Sequence, residues 1–202
     1  MASDGREVEI KLRVKNAEEA LRLLRDAGFH ESKARVFEKN TIYDTEAADL
    51  KRSARLLRLR EIGNDYKLTF KGAPEPGKHK SREEIETNVE NGPAFVTILQ
   101  RLGYKPTFRY EKYRAEYEAK NSGGVATVDE TPIGTFLELE GEPDWIDRTA
   151  RTLGYKEKDY ITASYARLFF EWRERSGSTA AHMLFDLLHD AVSSDQSTGN
   201  RG

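Results

Sequence analysis

The chain has 202 residues, 37% hydrophobic and 34% charged, a formal net charge of −2 and no cysteine. That length suits one domain with a substantial core; the missing cysteines exclude disulfides, thiolate nucleophiles and cysteine-ligated zinc; and the near-neutral balance gives no global basic field for nucleic acid. No apolar run approaches a membrane span, and the opening MASDGREVE lacks the apolar stretch of a secretory signal, so a cytoplasmic protein without membrane attachment is expected.

Glu7–Val14 reads EVEIKLRV and alternates strictly. Val8, Ile10, Leu12 and Val14 share one face, and Glu7, Glu9, Lys11 and Arg13 share the other. A period of two marks a β-strand. Asn16 is a helix N-cap, and its helix runs to about Ala27, where Gly28 supplies a C′ stop. Strand-like segments follow at Ala34–Asp44, Leu56–Ile62, Asp65–Lys71, Ser81–Val89, Thr107–Ala119, Val125–Glu130 and Thr135–Glu140. Turn residues separate several of them, at Gly63–Asp65, Gly72–Gly77, Asn121–Gly124 and Pro132–Gly134. The count is eight strands, mostly in meander order, and eight is a number at which a sheet closes into a barrel.

Ala27-Gly28-Phe29, Leu102-Gly103-Tyr104 and Leu153-Gly154-Tyr155 each put a glycine at a helix C′ and an aromatic just beyond. Their spacing is too uneven for a repeat array, but the first two suggest two equivalent halves, each a strand, a helix and a hairpin. Tyr160–Arg175 reads as a helix broken by Ser176-Gly177-Ser178. Ala180–Val192 reads as a short amphipathic helix with Met183, Leu184, Leu187 and Leu188 apolar. It is open to docking on the barrel, to plugging one end, or to pairing with a second copy in a homodimer. The last residues, SSDQSTGNRG, have the composition of a disordered tail. Residues 1–175 thus form the predicted domain, and 176–202 a linker, a short helix and a tail.

The polar faces of the strands carry the functional signal. Solvated strands mix Thr, Ser, Gln and Asn with their charges. Here one face of almost every strand is nearly pure Arg, Lys or Glu: Arg58 and Arg60; Lys67 and Lys71; Arg82, Glu84 and Glu86; Lys112 and Arg114; Asp129; Glu138 and Glu140. Apart from the first and fifth strands, each carries mainly one sign. If these faces point inward, the fold is α+β: an eight-stranded antiparallel closed barrel with a charged interior and helices packed outside. Unpaired buried charge is destabilising, so such an interior makes sense around a ligand. Cations on one wall would hold a polyanion. Carboxylates on the other, with no His or Cys among them, suit Mg²⁺ or Mn²⁺. Arginine forks match phosphate geometry, and phosphoryl transfer asks mainly for positioning and charge neutralisation. His30, His79, His182 and His189 lack metal-ligand spacing and read as surface or packing residues. Gly72–Gly77 lacks the P-loop pattern.

Glu7-Val8-Glu9-Ile10-Lys11 matches an ExExK motif, followed in order by ARLLRLR, YKLTFKG, SREEIE, EKYR, VDETPIGTFLELEG and Ser164-Tyr165. Over roughly residues 6–170 the chain resembles the CYTH, or triphosphate tunnel, enzyme family. The resemblance implies an eight-stranded tunnel in which Glu7, Glu9, Asp129, Glu138 and Glu140 hold the metal. It implies that Lys11, Arg58, Arg60, Lys67, Arg82, Lys112 and Arg114 hold a triphosphate, with Glu7, Glu9, Lys11 and Lys67 at the chemistry. Lys71 joins the substrate set, and Arg13, Glu84 and Glu86 the charged faces, by strand parity. A late lysine or tyrosine near the tunnel mouth is also implied, with Lys156, Lys158 and Tyr165 as the choices. Tunnels of this kind hydrolyse inorganic triphosphate, hydrolyse an organic triphosphate such as thiamine triphosphate, or cyclise ATP. SREEIET and ETPIGTFLELEG look closest to the class IV adenylyl cyclase-like branch, yet no adenine-reading motif is visible. The expectation is a metal-dependent phosphohydrolase acting on a small-molecule triphosphate. Cyclisation of ATP to cyclic AMP and pyrophosphate is the alternative. Behind these stand a non-catalytic polyphosphate or nucleotide binder, and a sandwich with solvated charged faces.

Overall fold

The computed structural model describes residues 5–120 and 123–186. Its eight strands close into one antiparallel barrel. They are β1 (Arg6–Val14), β2 (Phe29–Thr45), β3 (Leu56–Ile62), β4 (Asp65–Lys71), β5 (Lys80–Val89), β6 (Tyr104–Ala119), β7 (Gly124–Thr131) and β8 (Gly134–Gly141). Five helices lie among them: α1 (Ala17–Asp26), α2 (Asp49–Arg52), α3 (Gly92–Arg101), α4 (Pro143–Thr152) and α5 (Tyr165–Ser176).

Around the barrel the order is β1-β5-β4-β3-β2-β6-β7-β8. Two meanders, β2 to β5 and β6 to β8, are joined along β2 and β6, and β1 closes the gap between β5 and β8. The two-half reading survives with a twist in its connectivity. A strand, a helix and three strands occur twice, led by β1 and then by β5. In space the leading strands are exchanged, since β1 pairs with β8 of the second half and β5 with β4 of the first.

Local sequence explains the helix ends. Asn16 accepts a hydrogen bond from the Glu19 N–H at 2.9 Å, and Glu19 reaches back to the Lys15 N–H at 2.7 Å. Gly28 ends α1 with φ +82°, and Gly103 and Gly154 repeat that left-handed turn after α3 and α4. The apolar faces of the strands point outward and are covered. Ile10, Leu12, Leu137 and Leu139 are fully buried with Ala20, Leu24, Ile146 and Ala150 from α1 and α4. At one end of the barrel Phe108 and Phe136, on the inward faces of β6 and β8, form a second cluster with Tyr165 and Phe169 of α5. Leu99 of α3 covers Tyr43 and Leu59.

Several boundaries differ from the sequence reading. β2 and β6 begin earlier than Ala34 and Thr107, because they pair with each other from Phe29↔Ala119 to Thr45↔Tyr104. The predicted helix Tyr160–Arg175 starts only at Tyr165. Ile161 exchanges two 2.9 Å backbone hydrogen bonds with Lys11, which holds that segment extended, and Ser164 caps the helix. The predicted helix Ala180–Val192 is not helical through Leu184. Met183 is fully buried and bridges β6, its N–H donating to Arg109 O and its C=O accepting from the Glu111 N–H. A helical turn begins at Phe185, and Leu187, Leu188 and the predicted tail lie outside the described residues. Among the described residues no helix is long and apolar enough to cross a membrane.

The outer apolar faces, not the charged interior, should supply the driving force for closure. Leu139→Ala is expected to cost about 2–5 kcal/mol in urea unfolding, as for a fully buried leucine. A loss below about 1 kcal/mol would show that this face is not core.

Candidate active site

Register fixes which charges meet. On β1, Glu7 lies opposite Arg82 and Glu9 opposite Lys80 of β5; Glu9 also lies opposite Glu140, and Lys11 opposite Glu138, of β8. Arg60 pairs with Lys67 across β3 and β4, Lys71 with Glu84 across β4 and β5, and Arg114 with Asp129 across β6 and β7. Because side chains alternate, one inward face of each strand converges on the same space.

That space is a cavity of about 1150 Å³. Glu7, Glu9, Lys11, Arg58, Arg60, Lys67, Lys71, Arg82, Glu84, Glu86, Lys112, Arg114, Glu138 and Glu140 all line it. Two candidates from the sequence do not. Arg13 is exposed at the barrel end and stacks over Phe136 with 4.6 Å between its guanidinium carbon and the ring centre. Asp129 is fully buried one layer behind the wall. Its carboxylate accepts from Lys112 Nζ at 2.8 Å, from Arg114 Nε at 2.6 Å and from Tyr165 Oη at 2.7 Å. Of the late residues, Tyr165 lines the cavity, while Lys156 and Lys158 are exposed outside it.

The interior is a net of opposite charges. Lys71 donates to both oxygens of Glu7 at 2.6 Å and reaches Glu84 at 2.9 Å. Lys11 bridges Glu9 at 3.0 Å and Glu138 at 3.2 Å. Arg60 meets Glu38 at 3.3 Å, and Arg58 meets Glu86 at 3.5 Å, Thr69 Oγ1 at 3.1 Å and Tyr110 Oη at 3.3 Å. Arg114 also pairs with Glu138, and Lys80 with Glu9.

Burial and neighbours set the protonation states. Burial resists ionisation of Glu9, yet Lys11, Lys80 and Lys71 hold its carboxyl well below the usual range. Burial resists it at Glu138 too, and Arg114, Lys11 and Lys112 hold that group low. Burial, helped by Lys11 and Arg82, brings the Lys80 ammonium down to about 8. Burial and then the repulsion of Arg58 and Arg114 lower Arg60. Two carboxyls go the other way. Burial and the nearby Glu7 push Glu84 up to about 7 against the pull of Lys71. Glu140 is reached by solvent at the mouth, but burial of its carboxyl end and the charges of Glu7 and Glu9 push it up to about 7 as well.

Those two carboxyls bear on a metal. Among the described residues no three carboxylate or imidazole groups already form a chelating cluster. Excess negative charge nevertheless gathers where Glu140 and Glu84 crowd Glu7 and Glu9, and every donor there is a carboxylate oxygen. That is the chemistry a hard divalent cation neutralises, so the residues fit Mg²⁺ or Mn²⁺.

Sequence reasoning missed Glu38, Lys80 and Tyr110. Glu38 shares the inner face of β2 with Asn40 and Ile42, a mixed set that breaks the charge pattern. Lys80 precedes the predicted start of its strand at Ser81 by one residue, though its parity with Arg82 would have found it. His79, read as a surface or packing residue, lines the mouth.

A family model for the CYTH domain matches residues 5–165. The chain belongs to the CYTH domain family. A Methanocaldococcus jannaschii protein provisionally named an adenylate cyclase is 29% identical over 135 residues, 66% of this chain and 75% of that one. The structure of the Pyrococcus horikoshii protein PH1819 matches with a TM-score of 0.70 at 28% identity, over 83% of this chain and 99% of that one. A Hippeastrum protein, first assigned as an adenylyl cyclase and described as having a dominant triphosphatase activity, matches in fold with a TM-score of 0.59 at 22% identity, over 82% and 96% of the two chains. The CYTH model ends at Tyr165, the residue that closes the cavity between Lys11 and Lys112.

Glu38 provides a pH test of the interior. It is 1% exposed, and although burial raises its pKa, Lys112, Arg60 and Arg114 bring it down to about 2 from 4.5. A carboxyl depressed on folding stabilises above its unfolded pKa and loses that contribution as pH falls through its folded one. The wild type should therefore lose on the order of 3 kcal/mol at this site between pH about 4.5 and about 2. Glu38→Gln is expected to flatten the acid limb of a urea-midpoint profile; an unchanged slope would show that Glu38 does not titrate this way.

Proposed function

We propose that this CYTH protein is a divalent-metal-dependent triphosphatase acting on inorganic triphosphate or on an organic or nucleoside triphosphate. One observation carries the reading: Arg58, Arg60, Lys67, Lys71, Arg82, Lys112 and Arg114 line a single cavity together with the carboxylates of β1 and β8. A row of cations beside a row of hard oxygen donors suits a metal-bound polyphosphate better than it suits a single phosphate or a neutral ligand.

In this reading the chain's own groups divide the work. Arg58 and Arg60 offer guanidinium forks to equatorial phosphoryl oxygens, while Lys67, Lys71 and Arg82 add charge along the same wall. Lys11, Lys112 and Arg114 meet the phosphate end nearest Tyr165. Glu38 and Asp129 stand behind them and fix their aim, since Asp129 spends its oxygens on Lys112, Arg114 and Tyr165. A divalent ion bound to Glu7, Glu9, Glu138 and Glu140 would supply charge neutralisation and a more acidic water. The neighbouring carboxylates orient the nucleophile, and Lys80 completes the positive field beside Glu9.

Hydrolysis is favoured over cyclisation by the aromatic side chains. Cyclisation needs a place for adenine. Among the described residues His79, Tyr110 and Tyr165 are the aromatic residues that line the cavity, and each is engaged. His79 stacks on Tyr160, Tyr110 Oη accepts from Arg58, and the Tyr165 ring has the Lys11 and Lys112 ammoniums 5.2 Å from its centre.

The test is incubation with Mg²⁺ or Mn²⁺ and tripolyphosphate, thiamine triphosphate or ATP, resolving phosphate, pyrophosphate and cyclic AMP. Release of phosphate is expected. Cyclic AMP with pyrophosphate would replace hydrolysis by cyclisation, and tight binding without turnover would leave a binding module. Arg60→Ala should raise the KM for tripolyphosphate about tenfold or more, the loss of a charged, bidentate contact. An equal effect on inhibition by orthophosphate would contradict its place in a polyphosphate site.

A further inference from the structure

The mouth of the cavity has two sides. One is the loop between β4 and β5, of which Glu75, Pro76, Gly77, Lys78 and His79 line the cavity. The other is the junction of β8 with α4, at Gly141, Glu142 and Pro143. The base of the loop is held by backbone bonds from the Gly72 N–H to Glu83 O at 2.9 Å and from the Glu75 N–H to Ser81 O at 2.8 Å. Arg6 of β1 pairs with Glu75, and residues 78–79 are held by one side chain of α4. Asp147, in α4, accepts from Lys78 Nζ at 2.6 Å through Oδ2; its Oδ1 lies 2.8 Å from His79 Nε2 and accepts from Tyr160 Oη at 3.1 Å. The loop after β4, α4 and the stretch that follows α4 therefore meet on a single carboxylate. Its neighbours carry the mark of this meeting: burial raises the pKa of Asp147, but Lys78, His79 and Tyr160 bring it down to about 2. The next residue after His79 is Lys80, whose ammonium is buried against Glu9.

We propose that Asp147 is a positioning residue: by clamping Lys78 and His79 to α4 and Tyr160 it sets the width of the mouth and holds Lys80 in the phosphate-binding wall. The inference rests on the triphosphatase reading for its consequence, though not for the clamp itself. Asp147 does not line the cavity and touches no reacting atom. A clamp at this point acts on substrate binding, because the groups it orders, Lys78 and Lys80, are cations at and below the mouth. Lys78 Nζ, paired with Asp147, stays half-exposed at the mouth and adds its charge there.

The experiment compares wild type, Asp147→Ala, Lys80→Gln and the double variant by amide hydrogen exchange and by tripolyphosphate kinetics with Mg²⁺ or Mn²⁺. Asp147→Ala should speed exchange across residues 73–79 while the barrel strands keep their protection. It should raise KM about tenfold and leave kcat within about twofold. Lys80→Gln should raise KM similarly, and the double variant no further, since the two changes act on one contact. Asp147→Glu should restore part of the KM. Unchanged exchange at 73–79 would overturn the clamp. Faster exchange with wild-type KM, or fully additive effects with Lys80→Gln, would overturn the positioning role and leave a merely structural one. A wild type that neither binds nor turns over tripolyphosphate, thiamine triphosphate or ATP would defeat the triphosphatase reading, and the positioning role with it, while the exchange data would still decide the clamp.

Discussion

The structure depends on opposite charges neutralising each other inside a closed sheet. Taking an ion out of water costs several kcal/mol even after relaxation, and mutual attraction offsets this only when partners are close and lone pairs are used. Lys112, 1% exposed, is among the largest fully buried side chains, where a leucine would be usual. It is tolerated because Asp129 and Glu38 flank it and Arg114 shares the same carboxylate. Such a net does not drive folding. That falls to the outer faces of the strands, buried under α1, α3 and α4, and to the aromatic cluster that α5 packs into one end of the barrel. The barrel is thus inverted relative to a small side-chain-filled barrel: apolar groups outside, ions within.

Closure is what makes the arrangement chemically useful. An open sheet with the same strands would expose its charged face to bulk water, where each pair would be worth little. Joining β1 to both β5 and β8 brings the acidic strands against the basic ones. Without β1, Glu7 and Glu9 would not meet Lys71, Lys80 and Arg82, and Lys11 would not meet Glu138. The exchange of leading strands between the halves therefore does more than stabilise the seam. It mixes one sign into the other at the place where a metal and a phosphate would have to meet.

Much of this was legible in the sequence because a strand's period of two is unforgiving. Once Glu7, Glu9 and Lys11 share a face, so must Val8, Ile10 and Leu12; one such strand fits a solvated sheet equally well, and it is near-pure charge on strand after strand that points those faces inward. What the alternation could not give was depth. Asp129 has the right parity but sits behind the wall, because β6 places Lys112 and Arg114 in front of it. Arg13 also has the right parity, yet sits at the barrel's end, where it stacks on Phe136 outside the cavity. Glu38 was hidden by apolar and amide neighbours on its own strand. The clamp on Asp147 was invisible for another reason: Lys78, His79, Asp147 and Tyr160 share no motif, and only the packing of α4 against the barrel brings them together. The helix boundary at Tyr165 failed similarly. The segment 160–164 has one good helix former, Ala163, and pairing of Ile161 with Lys11 holds it extended.

The same ion pairs shape how a ligand could enter. A polyanion in this cavity must compete for ammoniums already held by Glu7, Glu9 and Glu138. Each lysine drawn to a phosphate leaves a carboxylate partly unpaired in a site where Glu84 and Glu140 already resist ionisation. A hard cation on those carboxylates removes that penalty, and a polyphosphate on the lysines removes the corresponding obstacle to the cation. If the site binds both, as proposed, each ligand would therefore raise the affinity for the other, and linkage would require the two effects to be equal. On the proposed reading, the metal requirement of the reaction has a cause apart from the chemistry of the transition state: the charge net that stabilises the unliganded barrel can be opened at low cost only from both sides at once.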